Sequence, residues 1–352
     1  MDAHTVDSRR TSPGEAPVVI TARDVEVRFP VQGARGRFVS AVDDVDLDIR
    51  AGETLGLVGE SGCGKSTLGR ALIGLRPLHG GLVEMNGEAV SGVPERILRP
   101  RRRHMQVVFQ DPYGSLNPRM RIGDTIAEPI TTFGLRRGKA VQERVSELLQ
   151  QVGLEPDMAH RFPHEFSGGQ RQRIAIARAL AAEPEFIVCD EPISALDVST
   201  QAQILNLLIG LREELSLTYL FISHDLAVVR RVCNRIAVMY LGRIVEIADR
   251  DDLYSAPRHP YTAALLSAVP FPDPAKERTR ERIELAGDIP TPENPPPGCS
   301  FHTRCWIYEQ LGKPEKCRTA KPQLGDSQGS HEVACHFPLA APAAANQTEG
   351  AS

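Results

Sequence analysis

Gly59-Glu60-Ser61-Gly62-Cys63-Gly64-Lys65-Ser66-Thr67 decides how this chain is read. The stretch has the form G-x-x-x-x-G-K-[ST], and it lies between the apolar run Glu53–Gly59, which reads as a buried strand, and a helix expected from Lys65. In that setting Gly59, Gly62 and Gly64 let backbone N–H groups curl around phosphate oxygens, with Ser61 and Thr67 inside the same cradle. The helix start adds its partial positive charge. Lys65 is then expected to reach the β- and γ-phosphates of a nucleoside triphosphate, and the Ser66 hydroxyl to ligate Mg²⁺. A chance match in a chain this long arises roughly one time in a hundred, which leaves little weight for a mere flexible turn.

Such a loop needs carboxylates opposite it, and Phe186-Ile187-Val188-Cys189-Asp190-Glu191 supplies an apolar strand ending in two of them. Side chains alternate along a strand, so Asp190 and Glu191 cannot share one environment. Asp190 is assigned to the Mg²⁺ shell and Glu191 to polarising the attacking water. Taken alone, an acidic pair at a strand end is more often a solvated cap. Between loop and carboxylates, Ser167-Gly168-Gly169-Gln170 opens a helix running through Leu180, with Ser167 as a good N-cap. Capping does not explain the paired glycines, which read as room for another backbone or a phosphate.

The flanking pattern is α/β. Val18–Phe29 and Val39–Ile49 read as strands, separated by glycines at 33 and 36. After a strand at Met105–Gln110, Val141, Val145, Leu148, Leu149 and Val152 fall on one helical face, which predicts a helical insert over about 112–182. Strands return at Phe186–Glu191, Leu220–Ser223 and Ile236–Tyr240, with a helix near Ser199–Leu215, so the sheet should be mainly parallel and covered on both faces. The arginines Arg96, Arg99, Arg101, Arg102 and Arg103 read as a solvated turn before Met105. The expected organisation is a flexible extension over 1–16, a nucleotide-binding domain over 17–250, an accessory region over 251–339 and a flexible tail over 340–352.

With 41% hydrophobic and 24% charged residues the composition is that of an ordinary globular protein, and the formal net charge of −4 argues against a main role in neutralising nucleic acid. No run approaches the ~18 apolar residues of a membrane span, and the N-terminus lacks a secretory pattern. The chain is therefore expected in the cytoplasm, with any membrane role exercised through partners.

Cys299, Cys305, Cys317 and Cys335 gather near the end with the spacing C-x5-C-x11-C-x17-C. In a reducing compartment such a group points to metal or redox chemistry rather than disulfides. Four thiolates suit tetrahedral Zn²⁺ or an iron–sulfur cluster; structural zinc sites usually carry short C-x₂₋₄-C knuckles, and this segment has none.

At this point the sequence resembles the ABC transporter ATPases over nearly its whole length. Ser167–Gln170 matches their signature loop, Gln110 their Q-loop, Ser194-Ala195-Leu196-Asp197 their D-loop and His224 in Ile222-Ser223-His224-Asp225 their switch histidine, all in family order. The resemblance implies a P-loop NTPase (RecA-like) core with an antiparallel β subdomain, a signature-bearing helical insert and a C-terminal accessory region. It also implies a composite site, in which the P-loop of one subunit and the signature of another clamp a shared ATP. Gln110 would connect Mg²⁺ and the γ-phosphate to a transmembrane partner, His224 would hold the γ-phosphate and the water, and Asp197 would contact the opposite subunit. Adenine stacking would fall to an aromatic upstream of the P-loop, Phe29 in first place and Phe38 in second.

Phe109-Gln110-Asp111-Pro112-Tyr113-Gly114-Ser115-Leu116-Asn117-Pro118-Arg119, His259-Pro260-Tyr261-Thr262 and the terminal cysteines look like the dipeptide/oligopeptide importer ATPases. Gly62–Leu68 looks more like their second, F-type subunit. For this family the resemblance implies a second ATPase subunit, two permeases and an extracytoplasmic binding protein, with the chain peripheral on the cytoplasmic face of the membrane. For some members it implies a [4Fe–4S] cluster on the cysteines, in a structural role. Nickel or another small solute is the alternative cargo. A soluble ABC ATPase acting on nucleic acid or ribosomes would show a second cassette, a coiled-coil insert or a basic surface, and a dead regulatory subunit would lack Lys65, Asp190, Glu191 or His224.

Overall fold

The computed structural model describes residues 16–31, 33, 36–111, 114–269, 282–326 and 330–340. The extension up to residue 15, the pair Pro112-Tyr113, the prolines Pro270, Pro272 and Pro274, and the tail from residue 341 lie outside the described residues.

The chain opens with two long strands, β1 (Val18–Pro30) and β2 (Phe38–Arg50), paired antiparallel, and β3 (Thr54–Val58). The phosphate loop leads from β3 into α1 (Lys65–Leu72), followed by β4 (Gly80–Met85), β5 (Glu88–Ala89), α2 (Glu95–Arg101) and β6 (Met105–Val108). Three helices come next: α3 (Ile122–Thr132), α4 (Lys139–Gln151) and α5 (Gly168–Leu180). Alternation resumes with β7 (Phe186–Asp190), α6 (Val198–Leu215), β8 (Thr218–Ile222), α7 (Leu226–Val232), β9 (Arg235–Tyr240) and β10 (Arg243–Asp249). Helices α8 (Arg250–Ser255) and α9 (Pro260–Ser267) lead to the cysteine-bearing segment, which returns the short strands β11 (Gly325–Asp326) and β12 (Glu332–Val333).

Two sheets result. One runs β2–β1–β4–β5 and is antiparallel; the other runs β11–β12–β10–β9–β3–β8–β7–β6. From β9 to β6 the second sheet is parallel, and every residue of β3, β7 and β8 is buried, as expected for strands covered on both faces. The alternating apolar residues Val42, Val45, Leu47 and Ile49 of β2 pack with α1 in one core, whereas Val141, Val145, Leu148 and Leu149 of α4 pack in the other with Ile122, Ile126 and Ile174 of α3 and α5. A buried ion pair, Arg235 to Glu53 at 3.1 Å, ties β9 to the turn before β3.

The arginine-rich run departs from expectation. Much of it is the helix α2, with Pro100 near its end and Leu98 buried, and only Arg102 and Arg103 lie in the turn. Arg96 and Arg99 are exposed, as expected, but the other three are engaged: Arg101 donates to the Ala89 carbonyl at 2.6 Å, Arg102 to that of Gly74 at 3.2 Å, and Arg103 meets Glu183 at 3.3 Å. Leu98 seats this helix against Gly74, and the adjacent pair Ile97-Leu98 among arginines gave no periodicity to read.

Candidate nucleotide-binding site

The parallel register brings three strand ends together. Leu57 of β3 and Asp190 of β7 both stand beside Ile222 of β8, so Gly59, Glu191 and His224 leave the sheet at one edge. Val108 of β6 stands beside Cys189, which carries Gln110 to the same edge. A cavity of about 500 Å³ lies there. Ser61, Gly62, Gly64, Lys65, Ser66 and Thr67 line it from the loop, Gln110, Glu191 and His224 from the strand ends, and Ala41 from β2. This is the crevice at the carboxyl ends of strands where open α/β sheets bind ligands.

Two of the loop glycines are required by neighbouring backbone. A Cβ on Gly59 would lie 2.1 Å from the Met239 carbonyl oxygen, and one on Gly64, at φ +108°, 2.0 Å from that of Ala41. Gly64 is also the N-cap of α1 and offers no side-chain acceptor, so the first-turn amides remain for an anion. The Lys65 ammonium is buried and donates to the carbonyls of Gly59 at 2.8 Å and Glu60 at 2.9 Å.

The two carboxylates have the separate surroundings that strand alternation demands. Asp190, 2% exposed, accepts from the Ser66 hydroxyl at 2.6 Å and from Arg70 at 3.4 Å. Glu191 turns the other way with φ +47°; its carboxylate accepts from the Gln110 amide at 2.9 Å and lies 3.3 Å from His224 Nδ1. Ser66, Asp190 and Gln110 thus present oxygens suited to Mg²⁺, and Glu191 and His224 face the space beside the loop. Sequence reading did not single out Arg70, although Ser66 and Arg70 are four apart on α1 and so share a face. Ala41 carried no signal at all.

Ser167–Gln170 does not line this cavity. Ser167 caps α5, its hydroxyl accepting from the Gln170 amide at 3.3 Å while the Gln170 side chain accepts from the Ser167 amide at 3.0 Å. Gly169 has a packing reason that the sequence reading missed, since a Cβ there would lie 2.3 Å from Thr200 Cγ2, whereas one on Gly168 would meet Leu196 at an ordinary 3.4 Å. Asp197 caps α6, accepting from Ser199 Oγ at 2.6 Å, Thr200 Oγ1 at 2.7 Å and the Thr200 amide at 3.0 Å. The Ser199 hydroxyl first, then the two Thr200 donors, hold its carboxyl well below the usual carboxylate range. Val198 beside it is 82% exposed.

Neither aromatic considered for adenine lines the cavity. The Phe29 ring lies under the Arg76 guanidinium at 5.4 Å, and Phe38 is 53% exposed. Among the described residues, no three His, Cys, Asp or Glu side chains are gathered so as to hold a metal ion. Cys299, Cys305, Cys317 and Cys335 nonetheless line one apolar cavity with His259, Tyr308 and Phe337. Burial pushes the Cys299 thiol up to about 11 and that of Cys335 up to about 12. His259 is buried, its Nδ1 accepts from the Tyr261 amide at 3.1 Å, and its Nε2 has no hydrogen-bond partner among the described residues.

Comparison with known proteins matches two parts of the chain. Residues 42–194 match the model of the family described as ABC transporter, and residues 245–310 that described as oligopeptide/dipeptide transporter, C-terminal region. The oligopeptide transport ATP-binding protein AppF of Bacillus subtilis (strain 168) is 49% identical over 326 residues, covering 91% of this chain and 97% of that protein. The probable peptide ABC transporter ATP-binding protein y4tS of Sinorhizobium fredii (strain NBRC 101917 / NGR234) is 52% identical over 307 residues, covering 87% and 84%. Among solved structures, the dimeric post-hydrolysis state of the ATP-binding cassette MJ0796 bound to ADP and Pi superposes with a TM-score of 0.60 at 30% identity, covering 66% of this chain and 98% of that one.

Proposed function

Because the chain belongs to the ABC transporter ATPase family, we propose that it is the ATP-hydrolysing subunit of a peptide importer, working with a second ATPase subunit beneath two permeases fed by an extracytoplasmic binding protein. One observation carries the two-subunit part. The phosphate loop, Gln110, Glu191 and His224 share one cavity, with Asp190 bonded to its Ser66, while Ser167–Gln170, Asp197 and the exposed Val198 lie outside it. A complete site then needs the signature loop of another chain, and the solved relative MJ0796 is itself dimeric. In the joined site Lys65 and the α1 amides hold the phosphates, Ser66, Asp190 and Gln110 hold Mg²⁺, Glu191 takes the proton of the attacking water and His224 orients it.

No helix among the described residues is long and apolar enough to cross a membrane; the likeness to peptide-importer ATP-binding proteins supports a peripheral seat on the cytoplasmic face. The exposed residues Asn117 and Arg119 follow Gln110 in the sequence, between β6 and α3, and offer the contact to a permease. Reconstitution of the full chain with its membrane subunits, second ATPase and binding protein tests the reading. Peptide-loaded binding protein should stimulate ATP hydrolysis, and a cysteine at Asn117 should cross-link to a permease. Stimulation by nickel salts and not by peptides would move the cargo to the alternative, and cross-links confined to residues 282–340 would overturn the coupling geometry.

The proposal extends to a [4Fe–4S] cluster on Cys299, Cys305, Cys317 and Cys335. The presence of all four cysteines in the lining of one apolar cavity supports it, as does the orphaned His259 Nε2, since a buried donor without an acceptor costs about 1–3 kcal/mol. When bound, the cluster would cross-link a segment with little regular structure. Anaerobically purified protein should be brown, hold iron and sulfide, and bleach in Cys305→Ser; a colourless protein with stoichiometric zinc would overturn the cluster.

A further inference from the structure

The second residue of the phosphate loop is gripped from outside the ATPase cassette. Arg304 Nη1 lies 3.2 and 3.0 Å from the two carboxylate oxygens of Glu60, and Nη2 adds a contact of 3.2 Å. The Arg304 side chain is 8% exposed and that of Glu60 20%, so this forked pair is sheltered from solvent and geometrically fixed. The Glu60 amide donates to the Tyr261 hydroxyl oxygen at 3.0 Å. Tyr261 itself is fully buried, its ring 4.7 Å from Tyr240 and 5.4 Å from Phe301. Glu60 therefore has its amide and carboxylate held by the C-terminal part of the chain, while its carbonyl accepts from the Lys65 ammonium.

We infer that Arg304 and Tyr261 are positioning residues for ATP, acting through Glu60 to hold the phosphate loop and Lys65 in the binding conformation. Both lie within 245–310, the part matching the oligopeptide/dipeptide transporter C-terminal region, and Glu60 lies within 42–194. The accessory region thus has a task in nucleotide binding as well as any of its own. Physically, a loop already ordered by two anchors gives up less freedom when phosphate arrives, which appears as affinity. Arg304 directly precedes Cys305, so the thiol-bearing segment is anchored to the phosphate loop at an adjacent residue.

The inference rests on the reading of Lys65 and its loop, and on neither cargo nor cluster. MgATP affinity of the full chain, measured by calorimetry, tests it. Arg304→Gln and Glu60→Gln should each weaken binding about fivefold to tenfold, with the double variant no weaker than either single one. Arg304→Lys should recover part of the loss, and Tyr261→Phe, which keeps the ring packing, should cost about threefold. In the assembled transporter KM for ATP should rise by similar factors with kcat nearly constant. Multiplicative losses in the double variant, or wild-type affinity in both Glu60→Gln and Tyr261→Phe, would overturn the inference. So would an Arg304→Gln protein of lowered Tm but unchanged affinity. Lys65→Ala serves as reference: if it binds MgATP as tightly as wild type, the reading of the loop falls, and this inference with it.

Discussion

Glu191→Gln is expected to leave MgATP bound while cutting turnover at its composite site by about 10²–10⁴-fold, the usual worth of a positioned general base. The geometry makes the substitution a clean one. Glu191 is held between the Gln110 amide at 2.9 Å and His224 Nδ1 at 3.3 Å, and glutamine is nearly the same size, so the cavity keeps its shape. The φ of +47° is already borne by a side-chain-carrying residue and is unaffected. What is lost is the capacity to accept a proton. Because Asp190 faces Ser66 and Arg70 on the other side of the strand end, it does not substitute. The measurement is hydrolysis by the assembled pair with the partner's own site disabled, beside nucleotide binding to the same protein. Near-wild-type turnover would remove Glu191 from the role of general base, and lost binding would point to a collapsed cavity instead.

The parts of this molecule that were legible in the sequence are those governed by short periods. A two-residue period separated Asp190 from Glu191, and the two have different partners in the structure. A helical period placed Val141, Val145, Leu148 and Leu149 of α4 on one buried face. The convergence of Gln110 and His224 on the phosphate loop was legible only through resemblance, since nothing local announces which strands of a parallel sheet will be neighbours. Long-range contacts carried no signal. Arg304 and Glu60 are 244 residues apart, and neither an arginine before a cysteine nor a glutamate in a glycine-rich loop marks the other. The Arg76 cover over Phe29 depends likewise on how the chain after α1 folds back across β1. Arg101, Arg102 and Arg103 misled for a converse reason: charge suggested solvent, whereas carbonyls and Glu183 engage them.

The pairing of Gly169 with Thr200 leads to a second large effect. Gly169→Ala should reduce ATP hydrolysis by the assembled pair about a hundredfold while leaving nucleotide affinity at the mutated chain's own phosphate loop unchanged. The new Cβ would stand 2.3 Å from Thr200 Cγ2, so either Thr200 turns and gives up its hydroxyl bond to Asp197, or α5 or the start of α6 shifts. That start is where Thr200 donates to Asp197 through both its amide and its hydroxyl, and Leu196 lies against Gly168, so one displacement disturbs the signature loop and the Asp197 turn together. Neither lines the cavity around Lys65, which is why binding there should survive. Thr200→Ser separates steric from chemical causes, because it deletes the Cγ2 methyl and retains the hydroxyl that bonds Asp197. In the Gly169→Ala background, Thr200→Ser should restore hydrolysis by about tenfold or more, whereas alone it should change little. If the double variant stays as inactive as Gly169→Ala, the glycine is needed for what approaches it from another chain rather than for its fit against α6.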